Sequence, residues 1–485
     1  MFLDIKIVLR DVGSILVILG AVMIFALIIP LIYSEIDAIF GLLAPALIII
    51  LIGSLLKLAF RKAKDPELRH AMIIAALSWF IVAMVSSVPF ILIENMPILD
   101  SFFEAMSGWT GTGLTMIDDP SELTFTIQFW RSLMQWVGGV GVIVLVVSIL
   151  SRPGTGSFTL YKSEAREEKI HPSVVSTVRT IWWIYLLFTF VGIILFYLVG
   201  MEPWGAINHC MTAIATGGFS VKSGSIGSYN SPLIEISVVP VMLLGAIPFL
   251  IHYKVLKKGA ISSLFKDAQC RAMFILILIG VVSLTVENYF KYFDILEAIR
   301  FSAFQFVSGL TCTGFQTTDV QVWSATALII VSFAMVVGGA AGSTAGGIKL
   351  IRAVLAYTSL TWWFRKARLS SRAITSFKLG GKLISEEEAN SLVNETSLIT
   401  LLWIISLFIG VILLLHVVPS TYHLEDVIFE VCSAQGNVGL TTGITNAGMS
   451  PIGKVVLIFV MWIGRLEIIP VLMLFRSIVK GVGPF

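Results

Sequence analysis

The sequence predicts an all-α integral membrane protein: an N-terminal helix hairpin followed by four like-oriented repeats of one unit. Three observations carry this. First, 57% of the 485 residues are hydrophobic and only 13% are charged, whereas soluble domains carry about 25% charged residues. So few charges cannot cover a surface in water, which makes lipid the expected solvent. Second, residues 12–33 and 71–93 hold no charged side chain, and about 20 apolar residues span a bilayer as a helix. Third, four short Gly/Thr phrases recur at similar places in similar surroundings: TGTGLT (110–115), ATGGFS (215–220), TCTGFQ (311–316) and GNVGLT (436–441).

The elements follow in chain order. Residues 12–33 and 38–60 form the hairpin, with Glu35 and Asp37 in its turn. The first segment is too long for a cleaved signal peptide and no A-x-A site follows it, so it reads as a retained helix. Each later unit has a long apolar segment, a half-length one, a Gly/Thr phrase and a second long one. The units are 71–93, 100–109 and 125–150; 180–199, 204–214 and 233–251; 272–290, 295–309 and 321–348; 396–418, 424–435 and 452–475. The half-length segments are too short to span and read as re-entrant. Each unit thus crosses twice and dips in once. Successive units point the same way, as a ring about a membrane-normal axis requires. The expected divisions are 1–60, 61–165, 166–262, 263–385 and 386–485.

Charge placement orients the chain. With the N-terminus cytoplasmic, loops 61–70, 151–180, 252–271 and 349–393 lie inside and are net basic. The last holds Lys349, Arg352, Arg365, Lys366, Arg368, Arg372, Lys378 and Lys382. The intervening loops carry Glu35, Asp37, Asp118, Asp119, Glu122, Asp294, Glu297 and Asp319, in keeping with the positive-inside rule. Cys210, Cys270, Cys312 and Cys432 form no C-x-x-C pair and read as buried apolar residues. The six histidines suggest no role.

Non-helical backbone at membrane depth is tolerated only inside protein or along a water-filled path. Four such stretches meeting on one axis can offer carbonyl oxygens to a cation. An ion stripped of water loses tens of kcal/mol of solvation in an idealised low-dielectric medium, and rings of carbonyl dipoles replace it. Glycine suits the stretch because it reaches positive φ, and threonine adds hydroxyl oxygens. Each short helix aims about half a negative charge at the ion from its C-terminus. One Gly/Thr phrase alone is usually only a turn; four in register are not explained that way.

The phrases MSGWTGTGLT (106–115), TCTGFQTTD (311–319) and GGAAGSTAGGIK (338–349) resemble the potassium-uptake membrane subunits of the Trk/Ktr/HKT superfamily. The N-terminal hairpin is similar to the Trk branch, TrkH-like, while GNVGLTTG is closer to the Ktr branch. The resemblance implies four membrane helix–pore loop–membrane helix repeats in pseudo-fourfold symmetry around one pore, with K+ as the transported ion and no organic cofactor. One glycine per repeat is then central to a selectivity filter: Gly113, Gly218, Gly314 and Gly439. The filter stretches are Thr110, Gly111, Thr112 and Gly113; Thr216, Gly217 and Gly218; Thr311, Cys312, Thr313 and Gly314; and Asn437, Val438 and Gly439. Glycine in the first repeat implies preference for potassium over sodium.

A second signal is VVGGAAGSTAGGIKL (336–350). Gly338, Gly342 and Gly346 have the small-xxx-small spacing that packs membrane helices. That leaves Gly339, Gly347, Ser343 and Thr344 unexplained, so a break is expected. The resemblance makes it an intramembrane gate, from Gly338 to Lys349. It is no phosphate loop, since G-x-x-x-x-G-K-[ST] is absent. Arg465, with Glu467 beside it, interrupts the last apolar segment at mid-depth, where an arginine normally faces protein or water. The resemblance places it below the filter, opposing cation passage, and further implies a cytosolic ring of nucleotide-binding subunits, TrkA-like, on the basic face, and a homodimer in membrane lipid. No nucleic acid partner is expected. The rival reading is an H+- or Na+-coupled secondary potassium transporter with alternating access, although many of these have inverted repeats. An enzyme is disfavoured, because no spaced acid–base, nucleophile or metal set lies in the spans.

Overall fold

The computed structural model describes residues 2–150, 170, 174–368, 377–379 and 382–480. Most of the predicted basic loop 151–180, Arg372 and the expected boundary at 165 lie outside the described residues. The helices, in chain order, begin with the hairpin: α1 (Phe2–Ala26), α2 (Ile28–Ile32) and α3 (Ile36–Ala59). The first unit holds α4 (Leu68–Ser86), α5 (Val88–Glu94), α6 (Ile98–Thr110) and α7 (Phe125–Leu150); the second holds α8 (Val174–Leu198), α9 (Pro203–Ile214), α10 (Pro232–Ala246), α11 (Phe249–Lys258) and α12 (Ser262–Lys266). The third holds α13 (Ala268–Tyr292), α14 (Ile295–Leu310), α15 (Ala325–Val337) and α16 (Leu350–Arg368); the fourth holds α17 (Glu386–Leu415), α18 (Leu424–Gly436), α19 (Pro451–Arg465) and α20 (Ile469–Lys480). One antiparallel hairpin, β1 (Phe377–Leu379) with β2 (Lys382–Ile384), adds a small non-helical element and packs Phe377 against Leu355 and Leu392. Among the described residues six helices are long and apolar enough to cross a membrane.

The unit recurs at the level of single residues. The second helix of each unit starts on a hydroxyl cap that accepts an N–H three residues on: Thr124, Ser231, Ser324 and Ser450. Such caps satisfy one of the helix's free donors. In the hairpin, Gly13 and Gly53 let α1 and α3 approach so closely that a Cβ on Gly53 would meet the Gly13 carbonyl at 2.5 Å, the use membrane helices make of small residues.

Three of the second helices break, where the sequence suggested one break only. Helices α10 and α11 meet at 104° across Ile247–Pro248, and α19 and α20 at 112° across Leu466–Ile468. Helix α15 stops at Val337, and residues 338–349 are not helical. Pro248 lacks an N–H to continue its helix, and positive φ at Glu467 and Ile468 turns the last one. The ring closes through packing: one apolar cluster runs from the hairpin through α4, α6 and α7 into α18 and α19.

Candidate functional site

Each short helix (α6, α9, α14 and α18) ends at or just before a residue in the left-handed region: Gly111 (φ 65°), Thr216 (φ 51°), Cys312 (φ 56°) and Asn437 (φ 53°). Two residues later comes a glycine with positive φ: Gly113 (90°), Gly218 (74°), Gly314 (79°) and Gly439 (102°). An L side chain is strained in this region, so the recurring phrase is a backbone requirement.

The four glycines form a cycle. A Cβ on Gly113 would overlap the Gly217 carbonyl, one on Gly218 the Thr313 carbonyl, one on Gly314 the Val438 carbonyl, and one on Gly439 the Thr112 carbonyl. Contacts that run from unit one to two, three, four and back to one place the strands around a shared axis. The sequence-predicted residues are therefore together: Thr110, Gly111 and Thr112; Thr216 and Gly217; Thr311, Cys312 and Thr313; and Asn437 and Val438 are all buried at this ring. The Thr110 and Thr112 hydroxyls bond each other at 2.7 Å, and those of Thr311 and Thr313 at 2.8 Å. Asn437 Nδ2 donates to Thr112 Oγ1 (2.9 Å) and to the Met461 carbonyl (3.0 Å), which ties unit four to unit one. Four strands thus offer backbone oxygen in one place, and four helix C-termini face it with partial negative charge.

Sequence reasoning missed the groups behind the ring. Six residues before each glycine sits a buried hydroxyl: Ser107, Thr212, Ser308 and Ser433. Ser107 and Ser433 accept the N–H of Gly113 and Gly439 at 3.0 Å. Thr212 and Ser308 instead donate to the carbonyls of Phe219 (2.9 Å) and Phe315 (2.8 Å). Nine residues before each glycine sits a fully buried polar side chain: Glu104, His209, Gln305 and Glu430. Glu104 accepts from Thr115 Oγ1, Met116 N and Arg131 Nε. Glu430 accepts from Thr441 Oγ1, Thr442 N and Thr445 N. His209 Nε2 pairs with Ser220 Oγ at 2.9 Å. Neither amide atom of Gln305 has a partner among the described residues. The shared offset from each glycine was the signal available in the sequence.

The predicted loop crosses beneath this ring. Thr344 Oγ1 donates to the Ile214 and Gly245 carbonyls (3.0 and 2.9 Å) and accepts from Thr216 Oγ1 (3.1 Å), all in unit two. A Cβ on Gly346 would overlap the Gly436 carbonyl and lie 3.1 Å from Asn437 Cβ, in unit four. Units two and four are opposite in the cycle, so the loop spans the axis. Gly338 and Gly347 touch where the loop returns on itself, Ser343 bonds the Ala340 carbonyl, and Gly339 and Gly342 contact Ala345 and Pro248. The Phe249 N–H donates to the Gly342 carbonyl (3.0 Å), so the broken second helix of unit two helps to hold the loop.

Arg465 is buried at the break of α19. Its Nη1 donates to the Thr344 carbonyl (3.0 Å) and its Nη2 to the Gly138 carbonyl (3.2 Å), and it lies next to Gly111. Among the described residues no carboxylate pairs with it: backbone oxygen holds the two Nη atoms, and Nε has no partner. Lys349 Nζ donates to the Ala345 carbonyl, and Arg352 pairs with Glu467. On the opposite face Asp118 and Glu122 are exposed. Ser121 donates its hydroxyl and its N–H to Asp119, which holds that carboxyl below its ordinary range. Among the described residues no group of three or more His, Cys, Asp or Glu side chains converges as a metal site would.

Comparison with known proteins matches residues 40–480 to the family TrkH, described as a cation transport protein. The chain is 34% identical over 477 residues to an uncharacterized cation transporter of Methanocaldococcus jannaschii, covering 98% of this chain and 96% of that one. It is 30% identical over 480 residues to the Trk system potassium uptake protein TrkH of Escherichia coli K12, covering 96% and 97%. Among solved structures, the crystal structure of the potassium transporter TrkH from Vibrio parahaemolyticus superposes with a TM-score of 0.85 at 26% identity, covering 98% of this chain and 99% of that one.

Proposed function

The chain belongs to the TrkH family of cation transport proteins, and from that premise we propose that it takes up potassium across the cell membrane by conduction through the four-glycine ring. The observation that carries this reading is the cycle of contacts in which each glycine faces the carbonyl of the next repeat. Such a ring can replace a dehydrated cation's water shell with backbone oxygen. The transported ion is K+, and transport involves no chemical reaction.

In this reading residues 338–349 are the gate and Arg465 is an electrostatic barrier below the filter. The loop's reach from Thr216 to Asn437 supports the first. The placing of a buried guanidinium between Thr344 and Gly138 supports the second. Both termini face the cytoplasm. The basic face that carries α16 and the β hairpin receives a cytosolic nucleotide-binding ring, and the assembly is a homodimer. Conduction is favoured over alternating access because the four units are parallel in chain direction.

Rubidium flux into liposomes, with sodium as competitor, tests the proposal. Wild type is expected to favour rubidium. Gly113→Ser is expected to lose about tenfold of that preference, equivalent to about 1.4 kcal/mol. Arg465→Ala is expected to raise resting flux several-fold. A wild-type chain that passes sodium as readily as rubidium, or a Gly113→Ser variant with unchanged preference, would overturn the filter assignment. Unchanged resting flux in Arg465→Ala would overturn the barrier alone.

A further inference from the structure

The second helices can be set side by side by counting from their first residue. Their eleventh residues are Gln135, Met242, Met335 and Met461, and their seventh are Arg131, Val238, Val331 and Leu457. Only the first repeat has polar side chains at both places, and both reach into the second repeat. Gln135, fully buried, donates from Nε2 to the Gly217 carbonyl (2.7 Å) and accepts from the Phe219 N–H at Oε1 (3.0 Å). Its carboxamide thus straddles Gly218. Arg131 donates to the Ser220 carbonyl (2.9 Å), pairs with Glu104 and lies over the Phe219 ring at 4.2 Å. Thr212 takes the Phe219 carbonyl. The backbone on both sides of Gly218 is therefore fixed by side chains, two of them lent by the neighbouring repeat.

We infer that Gln135 is a specificity-determining positioning residue: from outside the ring, it sets the position of the second repeat's filter strand. This rests on reading the ring as the filter. The Gly217 carbonyl is the oxygen against which Gly113 packs, so Gln135 also fixes the spacing between the first two quarters. A carbonyl that is held this way cannot move inward to follow a smaller ion. Sodium, which needs shorter contacts than potassium or rubidium, is discriminated against at this quarter by rigidity. The other quarters have a methionine at the matching place, and methionine fills volume without fixing a direction.

The test is the rubidium-to-sodium flux ratio in liposomes for wild type, Gln135→Met, Gln135→Glu and Gly113→Ser, each purified as a monodisperse peak, with Met242→Leu as the matched control. Gln135→Met puts at this place the residue the other repeats use. It is expected to lower the ratio about tenfold, the effect of losing both of the carboxamide's hydrogen bonds at the low end of their net strength, while rubidium flux itself persists. Gln135→Glu keeps volume and the acceptor for Phe219 but loses the donor to Gly217. It is expected to lower the ratio too, and it decides the matter if Gln135→Met does not yield folded protein. Met242→Leu is expected to match wild type. Ratios within twofold of wild type in the Gln135 variants, with Gly113→Ser still losing discrimination, would overturn this role and leave the filter reading standing. An unchanged ratio in Gly113→Ser would overturn both. A merely structural Gln135 would lower total flux and leave the ratio alone.

Discussion

Two parts of the ring reach the same backbone path by unlike means. Where the fourth repeat meets the first, buried carboxylates are used freely and each is partnered. Glu104 and Glu430 each accept several hydrogen bonds from their own ring strand, and Lys454 on α19 is paired with Asp100 on α6 while donating to the Ala447 carbonyl (2.9 Å). Around the third repeat the support is sparse. Gln305 and Thr317 Oγ1 are buried without partners among the described residues. The place of Lys454, fourth in its helix, is taken by Leu328. The corresponding residues Gln128 and Glu235 pair with Trp204 and Arg300 of the next repeat. The third repeat is also the one whose second helix unwinds into the loop. The lesson is that the left-handed residue and the glycine are common to all four quarters because the backbone demands them. What holds them from behind is free to vary, and it is thinnest where the proposed gate begins.

The largest expected effect lies at the fourth-to-first seam. Lys454→Met leaves Asp100 buried without its partner. Breaking a buried pair by removing one side costs about 3–5 kcal/mol, read as a fall in the thermal midpoint in detergent. Replacing both groups, Lys454→Met with Asp100→Leu, is expected to recover most of the loss, since apolar pairs of similar volume often serve as well. The apolar third-to-fourth seam at Leu328 already works this way. If the single variant is as stable as wild type, charge at the seam does not distinguish the two regions.

A smaller effect is expected behind the fourth repeat's strand. Among the described residues, every group hydrogen-bonded to Glu430 donates to it: Thr441 Oγ1, Thr442 N and Oγ1, and Thr445 N and Oγ1. Glu430→Gln turns one acceptor into a donor that faces donors. The cost is about 1–3 kcal/mol, that of leaving a buried group unsatisfied. The same midpoint measurement checks it, and an unshifted midpoint would mean that the carboxylate is no better partnered than Gln305.

The short helices were legible in the sequence because length and a terminal glycine are local facts: 100–109 was expected and Ile98–Thr110 is found. The loop was legible because five glycines in residues 336–350 cannot sustain a helix. The breaks at Ile247–Pro248 and Leu466–Ile468 were not, because an apolar run looks the same whether the chain continues or turns by 104°. Pro248, and Pro470 just past the second break, were the local hints, and hydropathy is blind to them. The groups nine residues before each glycine were hidden because Glu104, His209, Gln305 and Glu430 share a place behind the ring and not a residue type. Gln135 was hidden more deeply, since its partners Gly217 and Phe219 are brought to it only by the closing of the ring.

Gln305 offers the smallest and most discriminating effect. Its side chain is fully buried, and both of its polar atoms lack a partner among the described residues. An unpartnered buried amide has lost its water without gaining a bond, a cost of about 1–3 kcal/mol by protein substitution data. Gln305→Leu removes that cost and keeps a similar volume. Stability is then expected to stay within about 1 kcal/mol of wild type or to rise, because replacing polar groups by apolar ones of the same shape is neutral when no bond is lost. Gln305→Glu would place an unpaired charge there and is expected to be the worse of the two, the reverse of the order at position 430, where the carboxylate is required. A Gln305→Leu variant that falls as far as Glu430→Gln would mean that the third quarter is supported as firmly as the fourth, and the contrast between the two regions would be lost.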